Sequence, residues 1–130
     1  MAGVAAGLPA LTRALKLTAR AGRVGFDWAD AGQVLEKLEE EMAEVRAELP
    51  DADPARLADE VGDVLFVAAN LARKLGLDPE ACLRQANGKF SRRFNAVEAR
   101  LAARGVAPAD AGLAAMEAEW MAVKQAERGG

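Results

Sequence analysis

Two pairs of carboxylates, one on each of two neighbouring predicted helices, are the residues best suited to chemistry in this chain. Glu41 and Glu44 lie three residues apart, as do Glu60 and Asp63. Because positions three apart lie on the same side of a helix, each pair projects from one helix face. Facing acidic pairs repel unless a cation lies between them, and a hard divalent cation prefers oxygen ligands. Together the pairs predict a metal site, whereas either pair alone is more typical of a solvated face.

A basic segment follows on a later predicted helix. Lys89, Arg92 and Arg93 lie within residues 89–94, whose sequence is KFSRRF. Carboxylates that hold Mg²⁺, combined with basic side chains for phosphate oxygens, are typical of an enzyme that acts on phosphate esters or pyrophosphates. An amphipathic helix with exposed bases explains the same segment equally well, so the residue types alone leave both interpretations open.

Four to five helices are predicted to position these residues. They are expected over residues 8–21, 31–49, 54–75, 79–104 and 108–125. Asp53-Pro54 and Asp78-Pro79 each combine a capping aspartate with a proline in the first helical turn. The abundance of alanine and leucine favours helix, and the shortage of β-branched and aromatic residues disfavours sheet. The sequence therefore predicts an all-α helical bundle that forms a single domain over residues 1–130, with a frayed end at Gly129-Gly130.

The helix predicted at 54–75 is apolar around most of its circumference. Its main apolar stripe comprises Leu57, Val61, Val64, Leu65, Ala68, Leu71 and Leu75. The preceding helix has an apolar arc of its own, made of Val34, Leu35, Leu38, Met42, Val45 and Leu49. Glu60 falls at the edge of the stripe and Phe66 lies roughly opposite it, and a buried acid is costly unless it is paired or bound to a metal. We expect a dimer that forms through this central apolar helix and buries its second face, around Phe66.

Composition excludes several classes of protein. The net charge of −3 gives no reason to expect a nucleic-acid polymer as partner. Cys82 is the single cysteine, which rules out an internal disulfide and a multi-cysteine zinc site, and the absence of histidine rules out His-based catalytic triads. No apolar run reaches the length of a membrane span, and the first ten residues lack the basic start of a signal peptide. A cytoplasmic protein without membrane contact is expected.

The connector between the first two predicted helices contains two of the few aromatic residues. Its sequence over 24–28 is VGFDW, with Phe26 and Trp28. Packing of the connector onto the bundle is one explanation, and contact with a flat ligand such as a base is the other. Both remain open from the sequence.

The two acidic pairs also carry a family resemblance. The pattern Glu40-Glu41-x-x-Glu44 followed by Glu60-x-x-Asp63 looks like the signature of the all-α nucleoside triphosphate pyrophosphohydrolases. More closely, the chain resembles the MazG family, in particular the catalytic C-terminal half of its longer members. The segments that carry this resemblance are 10–14 (ALTRA), 23–28 (RVGFDW), 62–66 (GDVLF), 70–73 (NLAR) and 89–94 (KFSRRF). The longer members have a second MazG-like half, so this chain is either a short form or a fragment.

The resemblance implies a function and a set of site residues. It implies a homodimer or higher homo-oligomer that hydrolyses a nucleoside triphosphate to the monophosphate and pyrophosphate, using Mg²⁺ with Mn²⁺ as a substitute, for housecleaning of the nucleotide pool. Carried over by position, the metal ligands are Glu41, Glu44, Glu60 and Asp63, and the catalytic residues are Glu40 and Glu41. Glu40 would accept the proton of the attacking water. The substrate-binding residues would be Lys37, Lys89, Arg92, Arg93 and Trp120.

Two other functions stay open. One is a phosphoribosyl-ATP pyrophosphohydrolase, or a dUTP- or dCTP-specific enzyme, of the same superfamily. The other is a non-catalytic helical dimerisation domain or adaptor, against which the complete set of acids argues. The base and sugar preference, the number of metal ions and the choice between dimer and tetramer are not predicted.

Overall fold

The structure, a computed structural model, describes Met1 and residues 3–129 as a set of helices. In chain order the helices are α1 (Ala10–Gly22), α2 (Ala31–Glu48), α3 (Pro54–Lys74), α4 (Pro79–Ala103), α5 (Pro108–Ala111) and α6 (Leu113–Gly129). The described residues contain no strand, which confirms the predicted all-α class. None of the helices found among them is both long and apolar enough to cross a membrane.

The helix boundaries follow capping residues. The side chain of Asp30 accepts a hydrogen bond from the backbone N–H of Gln33 at the start of α2, and Asp53 caps α3 through the N–H of Ala55. Asp78 accepts from the N–H of Glu80 in the same way, with Pro79 as the first residue of α4. These carboxylates satisfy backbone donors that have no partner inside the helix. The predicted Asp-Pro starts of α3 and α4 are therefore confirmed.

The last predicted helix is interrupted, so the described residues contain six helices. Gly112 has a φ of 85°, a left-handed conformation that glycine adopts without the penalty of a side chain. It ends the short α5 and separates it from α6, so the prediction of one continuous helix over 108–125 was wrong. Helix α6 extends through Gly129, and the predicted fraying at Gly130 lies outside the described residues.

The chain forms two compact units, residues 1–83 and 84–130, and the boundary falls inside α4. In the first unit α3 packs against both α1 and α2. In the second unit Val97 and Leu101 of α4 form a buried core with Val123 of α6. The assignment of residues 1–130 to a single domain stays a prediction.

The buried face of α3 differs from the predicted stripe. Val67, Ala69 and Asn70 are buried, whereas Val61 and Leu65 of the predicted stripe are 44% and 56% exposed. The stripe is therefore not covered by its own chain at these positions, and its burial by a second subunit stays a prediction. A helix with two apolar faces does not reveal which face its own chain covers, and here Val67 is on the covered side whereas Val61 and Leu65 are not.

Parts of the other predicted apolar faces are exposed as well. Val34 of α2 is fully buried, but Leu35 and Met42 of the same predicted arc are about half exposed. In α4 the apolar side chains of Val97 and Leu101 are buried, whereas Leu83 and Phe90 are exposed, Phe90 at 59%. The described residues thus present more exposed apolar side chains than the stripes predicted.

Candidate functional site

Three of the predicted metal ligands meet where α2 packs against α3. Glu41 projects from α2, and Glu60 and Asp63 project from α3 one turn apart. One carboxylate oxygen from each of the three lies within 4.8 Å of the other two. The spacing of Glu60 and Asp63 places both on the side of α3 that faces Glu41, as the sequence pattern indicates. We call Glu41, Glu60 and Asp63 the acidic cluster.

The acidic cluster contains buried oxygens that no group of the protein satisfies. Glu41 is only 6% exposed. Its Oε2 atom, and Oε2 of Glu60, are buried and accept no hydrogen bond from any residue that the structure describes. A buried carboxylate oxygen without a donor is costly, and gathering three like charges adds repulsion. A hard divalent cation coordinated by these oxygens would relieve both costs, so the donor set fits such an ion.

Lys37 provides a positive charge next to the cluster. Its Nζ atom lies 3.2 Å from Oε1 of Glu41 and 3.9 Å from Oε1 of Glu40. The hydrogen bond to Glu41 raises the pKa of Lys37 above its ordinary value, and the charges of Glu40 and Glu41 add to the effect. Lys37 therefore stays protonated beside the acids, where an ammonium group can meet a phosphate oxygen.

The other two predicted acids lie outside the cluster. Glu44 and Glu40 are exposed on α2, and Glu44 is not one of the three residues whose oxygens converge. Glu44 still acts on Lys37, because its charge contributes to the raised pKa of that lysine. The ligand role of Glu44 and the proton-accepting role of Glu40 stay predictions.

The predicted phosphate-binding residues of α4 belong to the second unit. Arg93 donates through Nε and Nη2 to the carboxylate of Glu127, at 3.1 and 2.9 Å from its Oε2 atom. These hydrogen bonds hold the pKa of Glu127 below its ordinary range, and the charges of Arg93, Arg92 and Lys89 lower it further. Lys89 and Arg92 are exposed. Arg93 thus has an acidic partner that the sequence analysis did not anticipate.

Trp120 has the surroundings of a packing residue. Its ring lies 5.5 Å from that of Phe90, and the guanidinium of Arg93 lies 5.8 Å from its centroid. Trp120 also packs against the core of Val97, Leu101 and Val123. An apolar pocket of about 240 Å³ in the same unit is lined by Phe90, Phe94, Val97, Leu113, Met116, Glu117 and Trp120. A role in anchoring α6 follows from these contacts, and the contact with a base stays a prediction.

A polar network behind the connector was missed by the sequence analysis. Arg73 donates through Nη2 to Oδ1 of Asp27 at 2.5 Å and through Nε to Oδ1 of Asn70 at 2.7 Å. Lys74 donates to the carbonyl oxygen of Trp28 at 2.8 Å and lies 3.4 Å from Oδ2 of Asp27. The hydrogen bond from Arg73 lowers the pKa of Asp27. The available signal was the polar pair Asn70 and Arg73 within an apolar helix.

Comparison with known proteins identifies the protein family that has this fold and this acidic cluster. The sequence pattern of the family described as phosphoribosyl-ATP pyrophosphohydrolase matches residues 9–89, a range that contains the entire acidic cluster. The chain belongs to this family.

Individual relatives refine the comparison and confirm the predicted resemblance to MazG. The chain is 48% identical over 122 residues to a nucleoside triphosphate pyrophosphohydrolase of Escherichia coli (strain K12), covering 92% of this chain and 46% of that protein. It is 45% identical over 91 residues to the nucleoside triphosphate pyrophosphohydrolase/pyrophosphatase MazG of Thermotoga maritima, covering 70% of this chain and 34% of that protein. The chain therefore spans less than half the length of these curated relatives.

Proposed function

We propose that this chain hydrolyses nucleoside triphosphates to nucleoside monophosphates and pyrophosphate with the help of Mg²⁺, as part of nucleotide-pool housecleaning in the cytoplasm. The observation that carries the proposal is the acidic cluster, whose buried, unsatisfied oxygens fit a divalent cation. Support comes from the E. coli relative, a nucleoside triphosphate pyrophosphohydrolase that is similar to this chain over 92% of the length of this chain.

The residues of the first unit divide the chemistry between them. Glu41, Glu60 and Asp63 would hold the cation, with Glu44 as a further ligand one turn from Glu41. A bound Mg²⁺ would offset the negative charge of the triphosphate and make water more acidic. Lys37, kept protonated by its acidic neighbours, binds an oxygen of the α-phosphate. These roles require no histidine.

In the reaction, the oxygen of water forms a bond to the α-phosphorus while the bond from that phosphorus to the bridging oxygen breaks. Pyrophosphate leaves with the electron pair of that bond. Glu40 accepts the proton of the water and later releases it to solvent. The side chain of Glu40 is 65% exposed, and its Oε1 atom lies 3.9 Å from Nζ of Lys37, which we propose binds the phosphate.

The residues of the second unit would bind two parts of the substrate, the phosphates, which all triphosphates share, and the base. Lys89, Arg92 and Arg93 are proposed to bind phosphate oxygens, and Trp120 to contact the base, on the strength of the family resemblance. For Arg93 this requires that phosphate replaces Glu127, whose carboxylate now accepts its hydrogen bonds.

Hydrolysis of phosphoribosyl-ATP is a second candidate function. The family that matches residues 9–89 is named after the hydrolysis of this compound. The reaction would be the same, because phosphoribosyl-ATP also contains a triphosphate that is cleaved to release pyrophosphate. The two functions differ in the nucleoside that the site accepts.

A homodimer is part of the proposal. Val61 and Leu65 of α3 and Leu35 and Met42 of α2 are between 44% and 56% exposed. These side chains belong to the same pair of packed helices, and apolar surface of this kind favours burial against another subunit. A second copy of the chain is the partner that we propose.

The test is release of pyrophosphate from a panel of ribo- and deoxyribonucleoside triphosphates and phosphoribosyl-ATP, with and without Mg²⁺. We expect release from nucleoside triphosphates that requires the metal. Release from phosphoribosyl-ATP alone would favour the second candidate, and no release from any compound would contradict both.

A further inference from the structure

The first helix carries all of its charge on one face, and that charge is positive. Arg13, Lys16, Arg20 and Arg23 follow one another at intervals of three, four and three residues. They therefore lie in one line along α1 and the residue that follows it. Residues 1–26 contain no acidic residue, so all 20 acidic residues of the chain come later. We call these four basic residues the basic stripe.

Neither ion pairing nor the helix dipole accounts for the basic stripe. Arg73 and Arg93 of later helices each form an ion pair with a carboxylate. No carboxylate of the described residues forms an ion pair with the basic stripe. Basic side chains are favourable at the C-terminal end of a helix, which suits Arg20 and Arg23. Lys16 lies near the middle of α1, where the dipole gives no such benefit.

A cavity of about 400 Å³ lies along the basic stripe in the first unit. Its lining comes from the stripe, from apolar positions of α1 and from the segment before α1, and comprises Lys16, Arg20, Arg23, Leu15, Ala19, Gly3 and Val4. The volume falls within the range of roughly 300–1,000 Å³ that is usual for small-molecule sites. Three basic side chains thus surround a space large enough for a small anion. We call this space the basic cavity.

The segment before α1 approaches one of these basic side chains closely. Gly3 has a φ of 92°, in the left-handed region that favours glycine. A Cβ atom at this position would lie 2.8 Å from Nη1 and 3.7 Å from Cζ of Arg20. A larger residue would therefore displace the guanidinium. The glycine allows the backbone of the segment and the Arg20 side chain to form one wall of the basic cavity together.

The spacing of the basic side chains indicates the shape of the anion. A helix rises about 1.5 Å per residue, so Lys16 and Arg20 are attached about 6 Å apart along α1, with Arg23 nearly one turn further. A condensed phosphate has negative charges on successive phosphoryl groups and can reach all three, whereas a single phosphate or sulfate group cannot. Ammonium and guanidinium groups both donate charge-assisted hydrogen bonds to phosphate oxygens. A nucleic-acid polymer is disfavoured, because the rest of the chain is acidic.

We propose that the basic cavity binds a condensed phosphate, either free pyrophosphate or the phosphate chain of a nucleotide, through Lys16, Arg20 and Arg23. The cavity shares no residue with the acidic cluster or with the residues assigned to the substrate. Its donors are themselves cationic, so binding here requires no divalent metal ion. The proposal does not depend on the proposed reaction.

Titration of the full chain with pyrophosphate in EDTA tests the proposal. Without a divalent cation the acidic cluster repels anions, so the calorimetric signal reports on other sites. We expect saturable binding of pyrophosphate and much weaker binding of sulfate at the same ionic strength. Titration with ATP distinguishes the two sources of the ligand. Tighter binding of pyrophosphate than of ATP identifies the free anion, the reverse order identifies a nucleotide, and either order supports the site.

Variants locate the bound anion. Lys16→Gln and Arg20→Gln should each weaken pyrophosphate binding by about 10- to 100-fold, as expected for the loss of one charge-assisted hydrogen bond. Arg46→Gln is the matched control, because Arg46 is an exposed basic residue of α2 that does not line the cavity. Arg92→Gln tests the proposed substrate-binding residues as the place of binding. Melting temperatures should agree for all four variants, since each side chain is exposed.

The outcomes separate this proposal from the proposed function. Loss of pyrophosphate binding in Lys16→Gln and Arg20→Gln, with wild-type binding in Arg46→Gln and Arg92→Gln, supports the basic cavity. Wild-type affinity in Arg20→Gln, a loss in Arg92→Gln instead, or equal binding of sulfate and pyrophosphate overturns it. None of these titrations involves hydrolysis, so their failure leaves the reaction standing, and absence of pyrophosphate release leaves the basic cavity standing.

Discussion

Glu41 and Glu60 give the clearest sign of function among the individual residues. Each keeps one buried carboxylate oxygen without a hydrogen-bond donor among the described residues. Such atoms cost free energy in the absence of a ligand, of the order of 1–3 kcal/mol or more for a charged group. Natural proteins retain that cost mainly at sites that bind something. The acidic cluster is therefore better explained by metal binding than by helix packing.

Removing one charge from the acidic cluster should lower the activity of the protein without lowering its stability. Glu60→Gln and Asp63→Asn should each lower pyrophosphate release by more than the roughly 100-fold loss typical of changes around a metal site. Without metal, the melting temperature should stay unchanged or rise, because repulsion between carboxylates decreases. Mg²⁺ should stabilise the wild type against heat and the variants much less. Glu39→Gln, an exposed change on α2, is the control. Wild-type turnover in either variant at saturating Mg²⁺ would remove that residue from the site.

Arg93 and Trp120 are expected to affect different parts of the substrate. Arg93→Ala should weaken the binding of all nucleoside triphosphates by a similar factor. The expected loss is about 1.5–3 kcal/mol, the value of a charge-assisted hydrogen bond. Trp120→Ala should change the order of binding affinity among nucleotides with different bases if the ring contacts the base. Binding to at least four nucleotides, measured together with melting temperatures, distinguishes the roles. If Trp120→Ala loses stability and keeps the ranking, Trp120 is the anchor for α6 that its contact with Phe90 suggests.

Among the helices, the pairing of α4 with α6 combines a small apolar core with a buried ionic contact. Glu119 of α6 is 8% exposed. Its carboxylate accepts hydrogen bonds from Nε of Arg100 at 2.5 Å and from Nη1 of Arg104 at 2.6 Å. These bonds hold the pKa of Glu119 below its ordinary value. The end of α4 and the residue that follows it are thus joined to α6 by a contact that requires an ionised carboxylate.

This contact predicts how the stability of the second unit depends on pH. Because the folded-state pKa of Glu119 is lowered, its contribution is fully present above the ordinary pKa of about 4.3 and is lost as the pH falls through the lower, folded value. Glu119→Gln should therefore reduce the melting temperature at neutral pH and make little difference in strong acid. Thermal unfolding over a pH series measures this, with Glu98→Gln, an exposed change on α4, as control. A decrease in the melting temperature of Glu119→Gln that has the same size at every pH would contradict a role for the ionised carboxylate.

For the assembled protein, the exposed apolar side chains of α2 and α3 are the feature that a single chain leaves unexplained. Leu35, Met42, Val61 and Leu65 are each close to half exposed. Burial of apolar surface contributes roughly 25 cal/mol per Å², so covering this face would stabilise an assembly. The proposed homodimer accounts for why these positions are apolar.

Changing one of these side chains should disrupt the dimer. We expect a dimer or a larger assembly of the wild type at micromolar concentration by light scattering. Leu65→Glu should shift the population towards monomer, because the dimer would bury an unpaired charge. Met121→Glu is the control, since Met121 is 60% exposed on α6, outside the α2 and α3 faces. A wild-type monomer that unfolds cooperatively would contradict the proposal.

Local patterns were sufficient to predict most of the helices and the helix faces on which Glu41, Glu60 and Asp63 lie. Helix boundaries follow from Asp-Pro starts and glycine ends, which act within a few residues. The Glu60-x-x-Asp63 spacing places both carboxylates on one face because the helical repeat is regular. Gly112 is an exception, since a glycine within a helical pattern can be tolerated or can end the helix.

Contacts between distant residues required the three-dimensional structure. The burial of Val67 in place of Leu65 depends on which side of α3 the other helices cover, and both sides have apolar sequence. Asp27 and Arg73 are separated by 46 positions, and Arg93 and Glu127 by 34, so no local spacing relates them. A cavity in the first unit likewise combines residues 25–28 with Lys37, beside a connector that Lys74 anchors to α3. Local periodicity determines which way a side chain projects from its helix, whereas packing determines what it meets there.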